Sequence, residues 1–180
     1  MTVRHLALMG HPVLLTPAAP VADVGAPALQ ALIDDMLATM AAADGIGLAA
    51  PQVHRSLRII VGLEIRDRAE RDAGIAHVLV NPELTFLGKT TELAFEGCLS
   101  IPDLRGLVPR HRRVAFRAID RAGAAVEGVA DGLFARVLQH EVDHLDGILY
   151  PMRMTDLRHL AFTSELPQLT AWLDRDGDAQ

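Results

Sequence analysis

The chain has 180 residues, 50% of them hydrophobic, and carries a formal net charge of −6 with a pI near 5.7. This length supports one well-filled core and is short for two, so we expect a single domain over residues 1–180 with a polar tail from about residue 174. The acidic balance provides no basic surface for nucleic acid or for an anionic membrane. A small or extended uncharged substrate is therefore the expected partner.

The N-terminal segment and the single cysteine indicate the compartment. The first apolar run is interrupted before the hydrophobic core of a signal peptide could form, by His5, Gly10, His11 and Pro12. No segment is apolar over the length that a membrane span requires, so we expect a cytoplasmic protein without a membrane anchor. Cys98 has no second cysteine to pair with, so it is either a buried small residue or a reactive thiol.

Hydrophobic periodicity predicts the elements in the first half of the chain. A helix is predicted from Pro27 to just before Gly45, because apolar residues recur on one helical face at Leu29, Leu32, Ile33, Met36, Leu37 and Met40. Two strands are predicted next, one from Leu57 and one from His77. The charged segment between them is predicted to be a solvated loop.

The second half of the chain is predicted to hold a hairpin and two helices. The hairpin covers residues 112–130 and turns at 120–123. Asp131 is predicted to cap a helix that ends at Gly147 and carries the apolar residues Leu133, Val137 and Leu138. A last helix is predicted from Thr155 through Leu166. Strands in the middle and helices mostly at the two ends indicate an α+β fold.

The segment "VLQHEVDHLDG" contains the spacing His-Glu-x-x-His inside the second predicted helix. His140 and His144 are four residues apart, so a helix projects both imidazoles from one face toward one metal ion. Glu141 lies alongside, where it can accept a proton from a water held at the ion. We therefore predict a metal site on this helix.

The third metal ligand decides the class of reaction. Tyr150 occupies the position where one peptidase clan has its third histidine, so that clan is disfavoured. Glu165 stands close to the distance used by a second peptidase clan, although Pro167 would disturb the helix that aims it. Cys98 would complete a His2Cys set, which suits zinc or ferrous iron and leaves the fourth position open for water. The preceding glycine, Gly97, would let the backbone come close to the ion.

Three segments then resemble a known family. The motifs "GIGLAAPQV" (Gly45–Val53), "EGCLSIP" (Glu96–Pro102) and "QHEVDHLDG" (Gln139–Gly147) resemble, in order and in spacing, the three signature motifs of peptide deformylase. The resemblance runs from about Val3 through "LYPMRM". It implies an α+β fold with antiparallel β-sheets packed around a central metal-binding helix. The implied activity is metal-dependent hydrolysis of the N-formyl group from the initiator methionine of nascent chains, with release of formate.

The resemblance also implies a role for each matching residue. One divalent ion, Fe2+ or Zn2+, is expected on Cys98, His140 and His144. Glu141 is expected to be the general base and acid. Gln52 and the backbone amide of Leu99 are expected to stabilise the oxyanion. The implied partners are N-formylmethionyl nascent peptides, with a transient contact to the ribosome.

The substrate pocket is the least specific part of the resemblance. Gly45 and Gly47 would thin the loop for close approach of the substrate. Matching positions would line the methionine pocket or serve as plain core, namely Ile46, Leu133 and Val137. Arg136 stands where many bacterial deformylases carry an apolar residue, a pattern that resembles the organelle-type branch. We expect its guanidinium either to pair with a carboxylate, so that only its stem faces the pocket, or to meet a polar part of the substrate.

Two other interpretations remain at this point. A peptidase would use Glu165 as a ligand and cleave internal amides, whereas a non-catalytic metal module would bind peptide and release nothing. Glu96 is expected to form a structural ion pair with Arg110 or to contact substrate.

Overall fold

The computed structural model describes residues 1–177 and contains three helices and eight strands within that range. The helices are α1 (Pro27–Ala42), α2 (Gly132–Leu145) and α3 (Leu166–Gly177). The strands are β1 (Gly47–Ala49), β2 (Ile59–Glu64), β3 (Ile75–Phe86), β4 (Thr91–Cys98), β5 (Ile101–His111), β6 (Arg113–Ile119), β7 (Ala125–Asp131) and β8 (Leu160–Phe162).

The strands form two antiparallel sheets that meet at one helix. The five-stranded sheet has the order β1-β2-β3-β6-β7, and the three-stranded sheet has the order β4-β5-β8. Helix α2 contacts strands of both sheets, including β1, β2 and β5. The α+β fold with antiparallel sheets around a central helix is therefore confirmed.

Most of the apolar residues whose spacing predicted α1 are buried in the structure. Leu32, Ile33 and Met36 are almost completely buried and pack against the strand residues Leu48, Val61 and Val80. Leu29 and Met40 are also buried, and Leu37 is the one predicted face residue that is only partly buried against this cluster. A second cluster joins Ile60 and Leu79 of the five-stranded sheet to the apolar residues of α2, among them Phe134, Ala135 and Leu138. Apolar packing against the five-stranded sheet thus fixes the position of α2.

The predicted hairpin of residues 112–130 is present as β6 and β7, whose register pairs Ile119 with Ala125. Asp131 precedes α2 as predicted, but its side chain does not cap the helix. Its carboxylate instead pairs with the guanidinium groups of Arg112 and Arg113. Because two arginines lie within reach, the carboxylate interacts with them rather than with the helix amides.

The last predicted helix is wrong in position. Residues 155–165 form short 3-10 turns and the edge strand β8, which pairs with β5 through Gly106 and Leu160. The helix begins instead at Leu166, with Pro167 in its first turn, where proline is tolerated because no helical amide is needed there. The polar tail expected from about residue 174 falls partly within α3, and residues 178–180 lie outside the described residues.

No helix within residues 1–177 is long and apolar enough to cross a membrane.

Candidate metal centre

Two separate parts of the fold bring together three side chains that could hold a metal ion. Cys98 ends β4, while His140 and His144 lie on consecutive turns of α2. One ligand atom from each of the three lies within 4.8 Å of the other two. The Sγ atom of Cys98 is 3.2 Å from Nε2 of His144, and all three residues are buried. The set of donors, one sulfur and two imidazole nitrogens, fits a zinc or ferrous ion with an open fourth position.

A tight turn and a bulge place Cys98. The hairpin between β4 and β5 closes with Cys98 opposite Ile101, and the register shifts between Glu96 and Cys98. Such an irregularity re-aims the side chains that follow it. The backbone amide of Ser100 donates a hydrogen bond to the cysteine sulfur at 3.4 Å, which further fixes its position.

The hydrogen bond between Glu96 and His140 orients the first histidine. Oε2 of Glu96 lies 2.9 Å from Nδ1 of His140, which leaves Nε2 free to face the centre. Burial lowers the pKa of His140, but its hydrogen bonds to Cys98 and Glu96 raise it by more, so the pKa lies well above its usual range. Burial and the neighbouring His140 charge lower the pKa of His144 well below its usual range. A carboxylate behind a ligand histidine is a recurring support of zinc sites because it fixes the ring orientation.

Glu96 is the hub of a buried charge network. Arg110 donates to both of its oxygens, from Nε to Oε1 at 2.9 Å and from Nη2 to Oε2 at 3.0 Å, so the predicted ion pair is confirmed. Burial raises the pKa of Glu96, but the hydrogen bonds from His140 and Arg110 together lower it by more, so the pKa lies far below its usual range. Arg110 also donates to Asp143, which in turn binds Arg153. Asp143 and Arg153 were not predicted from the sequence, because nothing in their spacing marks a partner.

Glu141 is buried beside the ligand residues. Its Oε2 atom has no hydrogen-bond partner in the described residues, and burial raises its pKa to about 7. A β-carbon at Gly47 would overlap with Oε1 of Glu141, so only glycine leaves room for this carboxyl group. Gly47 therefore leaves space for this carboxyl group, in addition to its expected effect on the shape of the loop. A carboxyl group with this pKa can both accept and donate a proton near neutral pH.

The side-chain amide of Gln52 is held in a fixed orientation. Its Oε1 accepts a hydrogen bond from the Ala49 amide at 2.8 Å. Its Nε2 therefore points toward the centre, 3.2 Å from Oγ of Ser100 and 3.4 Å from Sγ of Cys98. A donor fixed in this way needs no reorganisation when negative charge develops beside it.

A cleft of about 560 Å³ opens onto these residues. His144 is buried and does not line the cleft, whereas every other residue assigned from the sequence does: Gly45, Ile46, Gly47, Gln52, Cys98, Leu99, Leu133, Arg136, Val137, His140 and Glu141. Phe95 and Arg105 also line the cleft and were missed. A β-carbon at Gly97 would overlap with the guanidinium of Arg105, so this glycine accommodates Arg105 rather than the ion, contrary to the reason expected from the sequence.

The guanidinium of Arg136 pairs with a carboxylate. Its Nη1 lies 2.8 Å from Oε1 of Glu96, and 13% of the side chain is exposed. Of the two environments expected from the sequence, the structure therefore has the ion pair, with the stem of Arg136 at the wall of the cleft.

Glu165 lies apart from the centre. It is exposed in a 3-10 turn, and its carboxylate accepts a hydrogen bond from the hydroxyl of the neighbouring Ser164. Among residues 1–177 the ligand cluster consists of Cys98, His140 and His144 without Glu165. The arrangement that a peptidase with a glutamate ligand requires is therefore not formed.

Fold and site together define a class of protein, the metal-dependent hydrolases that carry His-Glu-x-x-His on a central helix with a cysteine as the third ligand. The family model for polypeptide deformylase matches residues 3–159. The chain therefore belongs to the polypeptide deformylase family, whose members are enzymes that hydrolyse the N-formyl group of nascent chains.

Curated relatives and solved structures agree with this assignment. Peptide deformylase 1 of Nitrosomonas europaea is 48% identical over 166 residues, which is 91% of this chain and 94% of that protein. The peptide deformylase of Acinetobacter baumannii with Met-Ala-Ser bound is 40% identical, with a TM-score of 0.79 over 85% of this chain and 99% of that chain. The Thermotoga maritima peptide deformylase is 35% identical, with a TM-score of 0.78 over 87% of this chain and 100% of that chain.

Proposed function

We propose that this chain deformylates N-formylmethionyl peptides with one divalent ion held by Cys98, His140 and His144. The observation that carries the proposal is the convergence of the Cys98 sulfur with the two histidines of α2 at one end of the cleft. An ion bound there supplies Lewis-acid chemistry, which makes water a competent nucleophile near neutral pH. The donor set suits Fe2+ and Zn2+ equally, so we propose one of these two ions.

Glu141 moves the proton in this proposal. Its carboxylate accepts a proton from the attacking water as the new C–O bond forms at the formyl carbon. It then gives that proton to the departing amine as the C–N bond breaks, and formate and a free N-terminus result. The buried position of Glu141 and its pKa of about 7 support both halves of this transfer.

Gln52 and the backbone amide of Leu99 stabilise the negative charge on the formyl oxygen. The fixed Nε2 of Gln52 and the position of Leu99 directly after Cys98 support these roles. Both residues line the same cleft as Glu141.

The methionine side chain of the substrate occupies the apolar part of the cleft. Ile46, Leu133 and Val137 supply the apolar wall, while Gly45 and Gly47 let the peptide backbone approach the centre. The stem of Arg136 completes the wall, because its guanidinium is engaged with Glu96. The Acinetobacter baumannii relative is similar to this chain and has Met-Ala-Ser bound, a peptide that begins with methionine.

A nascent chain as substrate implies where the protein acts. Formylated chains emerge from the ribosome, so we propose a cytoplasmic location and a transient ribosome contact. The formal net charge of −6 favours a contact with an uncharged or basic surface over direct binding to nucleic acid.

Formate release is the experiment that tests the proposal. Protein purified without oxygen should contain about one equivalent of iron or zinc and release formate from formyl-Met-Ala-Ser in proportion to free amine. A peptidase would release an internal fragment and no formate, and a non-catalytic metal module would bind the peptide and release neither. Either of those two results would contradict the proposal.

A further inference from the structure

The proposed metal ligands come from two elements that are far apart in the chain. Cys98 lies on β4 in the three-stranded sheet, whereas His140 and His144 lie on α2. The Cys98 and His144 side chains that meet at 3.2 Å are separated by 46 residues. A fixed distance between β4 and α2 is therefore a condition for a preformed site.

The side chain of Arg136 connects α2 to the strands of the three-stranded sheet. It stands one helical turn before His140, so both side chains leave α2 on the same face. Its Nη1 donates to Oε1 of Glu96 at 2.8 Å and to the carbonyl of Val108 at 2.9 Å. Its Nη2 donates to the carbonyl of Glu92 at 2.7 Å. The guanidinium therefore connects α2 to β4 through two residues and to β5 through one.

The same contacts reach the first histidine through Glu96. Oε1 of Glu96 accepts from Arg136 and Arg110, and Oε2 accepts from Arg110 and lies 2.9 Å from Nδ1 of His140. The guanidinium groups of Arg136 and Arg110 thus both bind the carboxylate of Glu96, and His140 hydrogen-bonds to its Oε2 atom. Glu96 is 4% exposed in its side chain, so water competes little for these bonds.

We infer that Arg136 is a positioning residue for the metal centre, acting through Glu96 on His140 and through β4 on Cys98. This inference rests on the proposed ligand set. It assigns the charged end of Arg136 to the metal site and only its stem to the substrate pocket. Supporting partners of a ligand histidine typically contribute 10-fold to 100-fold in metal affinity, and we expect Arg136 to lie at the lower end, about 10-fold.

The test measures Co2+ binding by the full-length protein. Arg136→Met keeps an apolar stem and removes every donor, and Arg153→Met is the matched control. Arg153 also pairs with a buried carboxylate of α2, Asp143, but forms no hydrogen bond or ion pair with Glu96 within the described residues. The dissociation constant of Co2+ is obtained by competition with a chromophoric chelator, and the cobalt–thiolate absorption band reports on the geometry at Cys98.

We expect Arg136→Met to raise the dissociation constant about 10-fold and to shift the cobalt–thiolate band, while Arg153→Met stays within about 2-fold of the wild type. At saturating Co2+ the KM of Arg136→Met for a formyl-Met peptide should change little, because the apolar stem remains. A raised KM with an unchanged dissociation constant would make Arg136 a pocket residue only and would overturn the inference. An equal loss of affinity in both variants would also overturn it, because the effect would then belong to general stability.

A second variant covers the case in which Arg136→Met does not fold. Arg136→Lys keeps the charge and the stem, but a single ammonium group cannot reproduce the planar fork that reaches three acceptors. Its dissociation constant should rise by a smaller factor than that of Arg136→Met, and a value equal to the wild type would overturn the inference. A wild-type protein that binds no Co2+ would instead refute the proposed ligand set, and the inference with it.

Discussion

Gly47 and Glu141 face each other so closely that a β-carbon at position 47 would overlap with Oε1 of the glutamate. The start of strand β1 and the central helix α2 therefore meet at the proposed proton-transfer residue. Glycine is required at this point by the space that the carboxyl group occupies. The first motif and the last motif of the chain thus depend on each other.

Gly47→Ala should displace the carboxyl group of Glu141. We expect kcat to fall by about 10²-fold, the usual effect of a catalytic group misplaced by about 1 Å. Metal content should not change, because Gly47 is not one of the cluster residues Cys98, His140 and His144. Gly25→Ala is the control, since a β-carbon there meets only Asp23 at an ordinary 3.4 Å. Equal activity of the two variants would contradict the assigned role of the close contact.

Glu141→Gln should separate proton transfer from metal binding. The amide has nearly the shape of the carboxyl group but cannot act as a base, so we expect kcat to fall by about 10²-fold or more. Metal content, measured by elemental analysis of protein purified without oxygen, should equal that of the wild type. Near-normal turnover would refute the role of Glu141, and loss of metal would make it a ligand.

Metal binding should release a proton from Glu141 near neutral pH. Burial raises the pKa of this carboxyl group to about 7, so about half of the metal-free molecules carry the proton at pH 7. A cation nearby favours the carboxylate and lowers that pKa, so the proton leaves when the metal binds. Above the raised pKa the group is already ionised, and the release from this residue should vanish by about pH 9.

Calorimetry can measure this release. Co2+ is titrated into metal-free protein in buffers with different heats of ionisation, which gives the number of protons released. At pH 7 the wild type should release about 0.5 proton more than Glu141→Gln, and the difference should approach zero at about pH 9. A difference that is absent at pH 7 would show that Glu141 is ionised before the metal binds.

Cys98→Ala and Glu165→Ala should have opposite effects on metal content. The cysteine change removes the thiolate ligand and leaves two histidines, so we expect stoichiometric binding to be lost. Glu165 is exposed and outside the ligand cluster of the described residues, so its removal should leave metal content unchanged. Elemental analysis after desalting measures both. If the Glu165 variant loses the metal and the Cys98 variant keeps it, the peptidase interpretation replaces the present one.

Two substitutions of Gln52 should separate catalysis from stability. Gln52→Leu and Gln52→Glu both remove the Nε2 donor, so both should lower kcat by about 10²-fold with little change in KM. Only leucine also removes the acceptor of the Ala49 amide, a buried hydrogen bond whose loss costs about 1–3 kcal/mol of stability. Thermal unfolding should therefore distinguish the two variants. Changes confined to KM would make Gln52 a substrate-binding residue.

Local patterns in the sequence predicted the elements that bury one apolar face. The periodicity of α1, the hairpin of β6 and β7, and the placement of His140 and His144 on one helix all follow from spacing within a short segment. The resemblance of three motifs then added the family, the fold and the third ligand, which the spacing alone had left open between Cys98 and Glu165.

The last helix shows where local patterns fail. Residues 155–166 have a cap and apolar spacing that are typical of a helix, yet Leu160–Phe162 completes the edge of the three-stranded sheet beside β5. An unpaired strand edge offers backbone hydrogen bonds that local propensity does not take into account. Only the tertiary structure therefore decided that the helix begins at Leu166.

The sequence by itself determined which side chains can perform the chemistry, and the tertiary structure decided which of them act together. Cys98 meets His144 across 46 residues because the register of β4 and β5 and the packing of α2 bring them together. The partner of Arg136 was likewise open from the sequence, because a guanidinium on the ligand face of α2 can turn toward substrate or toward a carboxylate. The buried position of Glu96 decided that Arg136 turns toward this carboxylate, because a carboxylate removed from water is stable only with cations and donors around it.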